Sequence, residues 1–239
     1  MRNYSRSTAL ALSLALLTSA LALTSVQAQP APCPKIEPID LSTVVLPPPC
    51  DNCAITQAEL GELQVLQATR TPATVKHATD DYTRTVERFL AGMSAPIIVD
   101  NVGAADPLFK CISEVSEDAI QAAKTKFHRA RPYKLPNNGL QVLKQIPAND
   151  SFSFPSGHAS FGMVTGLVLA AMVPELRERI SARIEDFGLS RLISAVHFRS
   201  DVYAGELSGA AVAASLFANP DFRAEVVRVT PDVRKAVGY

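Results

Sequence analysis

Three short polar clusters interrupt a chain whose second half is otherwise apolar, and each carries side chains suited to holding or attacking a phosphate. The first is Lys124-Thr-Lys-Phe-His-Arg-Ala-Arg131-Pro132. Read alone it is a basic helix end, where cations meet the C-terminal partial charge. Read for chemistry, Lys124 and Arg131 lie two turns apart on a similar face, with Pro132 closing the helix. The second is Phe154-Pro155-Ser156-Gly157-His158, directly before an apolar run. Ser156 can cap a helix there, Gly157 lets a ligand approach the backbone, and the free N–H groups of the first turn point at whatever binds. Its structural alternative is plain capping, with His158 packed on the core. The third is Ser190-Arg191-Leu-Ile-Ser-Ala-Val-His197-Phe-Arg-Ser-Asp201. On a helix His197 and Asp201 share a face, so the carboxylate can bond one imidazole nitrogen and leave the other free to attack. A structural His–Asp pair is the alternative. Arg191 adds a planar fork of donors for phosphate oxygens.

Taken together, the clusters read lysine, six residues, Arg-Pro; then Pro-Ser-Gly-His; then Ser-Arg, five residues, histidine, three residues, aspartate. This resembles the type 2 phosphatidic acid phosphatase superfamily, with Lys124, Arg131, Pro132, Pro155, Ser156, Gly157, His158, Ser190, Arg191, His197 and Asp201 at the defining positions. Leu46-Pro-Pro-Pro and Ser200-Asp-Val-Tyr-Ala-Gly are similar to the bacterial class A nonspecific acid phosphatases, over roughly residues 44–217. One departure concerns substrate. That class usually has Gly-Ser-Tyr before Pro-Ser-Gly-His, whereas Phe152-Ser153-Phe154 stands here, a form commoner in the superfamily's lipid-directed members.

The resemblance implies a metal-independent phosphatase without a cofactor, acting on small phosphomonoesters through a phosphohistidine. His197 is the implied nucleophile, Asp201 its orienting carboxylate and His158 the acid and then the base. Lys124, Arg131, Arg191, Ser156 and the Gly157 N–H are the implied phosphate ligands. The competing expectations are a lipid-phosphate phosphatase, a vanadate-binding haloperoxidase and a non-catalytic phosphate- or phospholipid-binding module. Metal hydrolysis is disfavoured on the residues themselves, because the histidines at 77, 128, 158 and 197 show no ligand spacing such as His-Glu-x-x-His.

Elements able to position these clusters are all helical. Periodicity of three and four residues predicts helices over Gln57–Thr69, Val75–Met93, Ser113–Phe127, Gly139–Ile146, Gly157–Val173, Pro174–Phe187, Arg191–Phe198 and Val202–Phe217. No run alternates as a strand does, so the expected class is all-α: one compact bundle around a central apolar helix pair. The alanine- and glycine-rich segments at 158–173 and 202–217 are the expected pair. Residues 55–239 form the expected domain, preceded by a proline-rich extended arm over 29–54.

Arg2 and Arg6 precede an apolar run from Ala9 to Leu23 and the small-residue site Val26-Gln27-Ala28, the pattern of a secretory signal peptide over 1–28, cut after Ala28. A periplasmic or secreted protein is therefore expected. The run is short for about 30 Å of hydrocarbon, and Phe161–Val173, the best later candidate, has only 13 residues, so no stable membrane insertion is expected. Removing 1–28 leaves 21 basic and 23 acidic side chains, a formal charge of −2, which argues against a nucleic-acid partner. A homo-oligomer stays open. In an oxidising compartment Cys33, Cys50, Cys53 and Cys111 read as structural bridges tying arm to body, with three possible pairings. Cys50-Asp-Asn-Cys53 has redox spacing but lacks the strand of a thioredoxin-like site.

Overall fold

The computed structural model describes residue 33 and residues 39–144 and 152–239. The expected signal peptide and residues 29–32 and 34–38 of the expected arm lie outside these. Among the described residues there are helices and no strand: α1 (Leu41–Val44), α2 (Ala54–Ala68), α3 (Pro72–Asp80), α4 (Val86–Ala91), α5 (Asp106–Phe127), α6 (Gly157–Met172), α7 (Arg177–Ile193), α8 (Arg199–Ala218) and α9 (Pro220–Ala236).

Helices α6 and α8 form the expected central pair. Their closeness has a steric cause in glycine: a Cβ on Gly205 would lie 2.3 Å from the Ser156 carbonyl oxygen, and one on Gly209 2.4 Å from that of Ser160. No side chain larger than hydrogen fits at either place. This contact sets the start of α6 beside the first turn of α8, and so brings the second cluster against the third. Around the pair, Phe89, Ile112, Phe161, Val164, Val168, Phe187, Val212 and Leu216 build one core with Phe222, Val229 and Val233 of α9. Each such side chain contributes about 1.5–3 kcal/mol on burial.

Several boundaries differ from the expected ones. Val75–Met93 is two helices, because Thr85 caps a new one and Asp81, where the first ends, turns its buried carboxylate to Arg183 and Arg88. Residues 139–144 are not helical; 145 and 146 lie outside the described residues. The stretch 191–198 is no helix of its own: α7 runs through Arg191 to Ile193, and Ala195 then takes a left-handed conformation with φ 57°. Helix α9 was not anticipated: Pro231 inside it reads as a helix breaker, although Phe222, Val226, Val229 and Val233 recur at helical spacing across it. Within the arm, Leu41–Val44 is a helical turn, and Leu41 packs on Ile120 and Ala123 of α5. Of the three pairings, Cys33–Cys111 forms, with Cα atoms 5.3 Å apart across a 78-residue separation, while Cys50 and Cys53 are free thiols.

Candidate active site

His197 does not sit on a helix, contrary to expectation. It precedes α8 by two residues, and Asp201 lies in the first turn of that helix. The four-residue spacing works through capping: the Phe198 N–H donates to Asp201 Oδ2 at 2.7 Å, which swings the carboxylate back toward the ring, with His197 Nδ1 3.4 Å from the same oxygen. Nδ1 thus carries the proton, and Nε2, which receives the Arg131 guanidinium at 3.0 Å, keeps its lone pair. His197 is buried, and its pKa is pushed well below the usual value by desolvation and then by Arg131, Lys124 and Arg191. A neutral imidazole with an unprotonated nitrogen among three cations has the chemistry to attack an anion bound there.

Asp201 is fully enclosed. Burial raises its carboxyl pKa, and this is opposed first by Arg129, then by Ser153 and the Phe198 N–H. Arg129 Nη1 donates to Asp201 Oδ1 at 2.6 Å, and Ser153 Oγ to Oδ2 at 2.5 Å. Arg129 is itself held by Glu59 at 3.1 Å and stacked 4.0 Å over the Phe198 ring. Neither Arg129 nor Ser153 was singled out in the sequence, where Arg129 reads as one more cation of a basic helix end. The available signal was the buried carboxylate of the His–Asp pair, which requires a partner.

The cations converge from three elements. Helix α5 ends at Phe127 with His128 left-handed (φ 53°), so Arg131 comes from the extended segment beyond it and not from a helix face shared with Lys124. Arg131 Nη1 donates to the Val196 carbonyl at 2.9 Å, and Lys124 Nζ to that of Phe152 at 2.7 Å. Arg191 donates through Nη2 to the Ala78 carbonyl at 2.8 Å, and its guanidinium lies 4.6 Å over the Tyr82 ring. Its Nε and Nη1 are buried with no partner, and desolvation brings its pKa down to about 10. Unmet buried donors of a cation are costly unless an anion arrives. Ser190, by contrast, donates to Asp81 at 2.6 Å and anchors the α7 end instead of facing the site.

At the start of α6, Ser156 Oγ accepts the Ala159 N–H at 3.3 Å, so the expected cap is present and its hydroxyl proton remains to donate. Gly157 follows as the first helical residue. His158 is half-buried, and its Nε2 lies 3.2 Å from the Tyr82 carbonyl, which places the proton on Nε2 and leaves Nδ1 for exchange. Desolvation, Arg191 and Arg84 push its pKa well below normal. Both rings are therefore neutral in the empty site. Stability should fall as pH drops below about 6.5, because the unfolded chain takes up protons there that the folded chain refuses. The loss levels off below the lowered folded values, and above about pH 7 the rings contribute nothing. Urea midpoints of the protein and of His158→Gln/His197→Gln test this: the double variant should lose this part of the acid slope, and identical slopes would refute it.

One grouping of metal-ligand type stands apart from the site, His77, Asp81 and Asp186, with donor atoms within 4.8 Å of one another. Arg183 donates to both carboxylates, so a guanidinium already supplies the positive charge there.

Residues 108–224 match the family model of the PAP2 superfamily. A non-specific acid phosphatase of Providencia stuartii is 30% identical over 136 residues, 55% of this chain and 55% of that protein. One of Salmonella typhimurium is 28% identical over 165 residues, 66% of each, and an acid phosphatase of Zymomonas mobilis is 30% identical over 54% of this chain and 49% of its own. The chain thus spans from 49% to 66% of the length of these relatives. A solved transmembrane PAP2 type phosphatidylglycerolphosphate phosphatase from Bacillus subtilis aligns over 68% of this chain and 85% of that one at 20% identity, with a TM-score of 0.47. The segment matched by the family model contains all three clusters and runs past the end of α8, so it is over these residues that the chain matches the PAP2 superfamily.

Proposed function

We propose that this protein is an exported, metal-independent acid phosphatase that hydrolyses small phosphate monoesters through a phosphohistidine at His197. The observation that carries this reading is the buried Arg191 with two unpartnered donors, acting together with Lys124 and Arg131 on a neutral His197. An anion is what the two Arg191 donors lack, and the histidine lone pair is what an electrophilic phosphorus would meet. The match of residues 108–224 to the PAP2 superfamily and the names of the relatives support it. Export rests on the signal-peptide pattern of residues 1–28.

Phosphate arrival gives Arg131 a stronger acceptor than the Nε2 it bonds in the empty site, which frees that lone pair. Nε2 attacks phosphorus, the ester P–O bond breaks, and the leaving oxygen takes a proton from His158, whose charged form the bound dianion favours. Asp201 stabilises the positive charge left on His197. Water then attacks phosphorus, gives its proton to His158, and the P–N electron pair returns to Nε2. The equatorial oxygens stay on Lys124, Arg131, Arg191, Ser156 and the Gly157 N–H, since positioning and charge carry most of phosphoryl transfer. Opposite protonation states of the two rings give a bell-shaped pH profile with an acidic optimum.

The reading is tested with nucleotides, sugar phosphates, phytate and short-chain phosphatidic acid as substrates. Turnover should survive EDTA and be inhibited competitively by vanadate; loss on chelation, restored by zinc or magnesium, would refute the metal-free mechanism. His158→Ala should lose about 100-fold or more on alkyl phosphates, the size of general acid catalysis, and much less on nitrophenyl phosphate, whose leaving oxygen needs little protonation. Equal losses on the two would remove His158 as the acid.

A further inference from the structure

The two thiols that the Cys33–Cys111 bridge leaves out stand beside each other. Cys50 is exposed and Cys53 half-buried. Their turn is closed by the Cys53 N–H on the Cys50 carbonyl at 3.2 Å, which holds the Cα atoms within about 7 Å, close to the range a disulfide spans. Cys53 is also the N-cap of the 15-residue α2. First-turn N–H groups, that of Thr56 foremost, and the Cys50 thiol lower the Cys53 pKa to about 7, whereas Cys50, facing Cys53, is raised. Of the pair, Cys53 is the sulfur that carries charge near neutral pH, and attack on a disulfide needs a thiolate.

This turn is hydrogen-bonded toward the active site. The Cys50 carbonyl accepts Thr56 Oγ1 at 2.8 Å, and the same hydroxyl oxygen accepts Arg129 Nη2 at 3.4 Å. Arg129 is the cation on Asp201. The Cys53 thiol also donates to the Cys50 carbonyl, at 2.9 Å, a bond that a Cys50–Cys53 bridge must remove.

We propose that Cys50 and Cys53 are a thiol–disulfide exchange site, with Cys53 as the attacking sulfur, and that closing the bridge slows the His197 chemistry through Thr56 and Arg129. The co-reactant is a disulfide, of a small molecule or a protein. Cys53 thiolate attacks one of its sulfurs, the S–S bond breaks, and one thiolate leaves and takes the Cys50 proton. Cys50 thiolate then attacks the Cys53 sulfur and expels the second thiolate, which takes up from water the proton that Cys53 released on ionising. The pair gives up two electrons, and the external disulfide becomes two thiols. The exchange site stands independently of the phosphatase reading; the effect on turnover rests on it.

The test equilibrates the full chain in mixtures of reduced and oxidised glutathione, quenches with acid, alkylates and maps the peptides. Cys50 and Cys53 should oxidise together in one two-electron step, and in the reduced protein at neutral pH Cys53 should alkylate first. Turnover of nitrophenyl phosphate should fall by about threefold on oxidation, the scale of one net hydrogen bond. Cys50→Ser and Cys53→Ser should abolish that response, and Thr56→Val should keep the bridge but lose the response. Both thiols surviving excess oxidised glutathione, or Cys50 alkylating first, would overturn the exchange site. Equal turnover of the two forms would overturn the coupling. Zero turnover in both would overturn the phosphatase reading and the coupling with it, while the labelling still decides the exchange site.

Discussion

Replacing His197 with alanine is expected to lower turnover by at least about 10,000-fold, the scale on which removal of an enzymatic nucleophile acts. Binding of vanadate should persist in weakened form, since Lys124, Arg131 and Arg191 approach from other elements and Arg131, on losing the ring, keeps its bond to the Val196 carbonyl. Among the described residues, the other side chains bonded to Asp201 are Arg129 and Ser153, neither of them an imidazole. Ser153 Oγ, the nearest alternative, already donates to the carboxylate at 2.5 Å. The variant should also fail to accumulate labelled phosphoenzyme when the reaction is stopped in alkali; acid would destroy a phosphohistidine. Because the ring is buried, circular dichroism and a urea midpoint must accompany the rate. A folded His197→Ala protein turning over at a near-normal rate would remove the nucleophile assignment.

Arg129→Ala should act on both stability and chemistry. It leaves the Asp201 and Glu59 carboxylates without their shared cation, and breaking a buried pair from one side costs about 3–5 kcal/mol. It also removes the strongest influence opposing the burial of Asp201, so the Asp201 pKa should climb further above normal. The sign for activity follows: the carboxylate that supports charge on His197 is lost at a higher pH than before, and the acid limb of kcat should move upward. Arg129→Lys restores charge without the fork that reaches Asp201 and Glu59 together, and should recover part of the stability while the limb stays displaced. A purely structural arginine would change the urea midpoint and leave the pH profile alone. An unmoved acid limb in a folded Arg129→Ala protein would sink the positioning role.

What the sequence determined by itself was the set of candidate site residues and the class of fold. Lys124, Arg131, Ser156, Gly157, His158, Arg191, His197 and Asp201 were legible because each cluster is local: residue type and spacing within about a dozen positions decide which groups share a turn. The all-helical class was legible because a buried stripe on a helix imposes its period on the chain, as in α2 and α5, and because α6 and α8 read as uniformly apolar alanine- and glycine-rich runs too long for strands. Tertiary structure decided what closes around those groups. A four-residue spacing is the same on a helix face and across an N-cap, so sequence alone could not show that His197 lies ahead of α8 and meets Asp201 through the cap. The partners of Asp201 and His158 come from far along the chain, Arg129 across 72 residues and Ser153 across 48 for the first, the Tyr82 carbonyl across 76 for the second. No local period encodes those meetings. The cysteines divide in the same way: the sequence supplied four sulfurs, and only the packing of the arm on α5 selected Cys33 with Cys111, leaving Cys50 and Cys53 as neighbours at the start of α2.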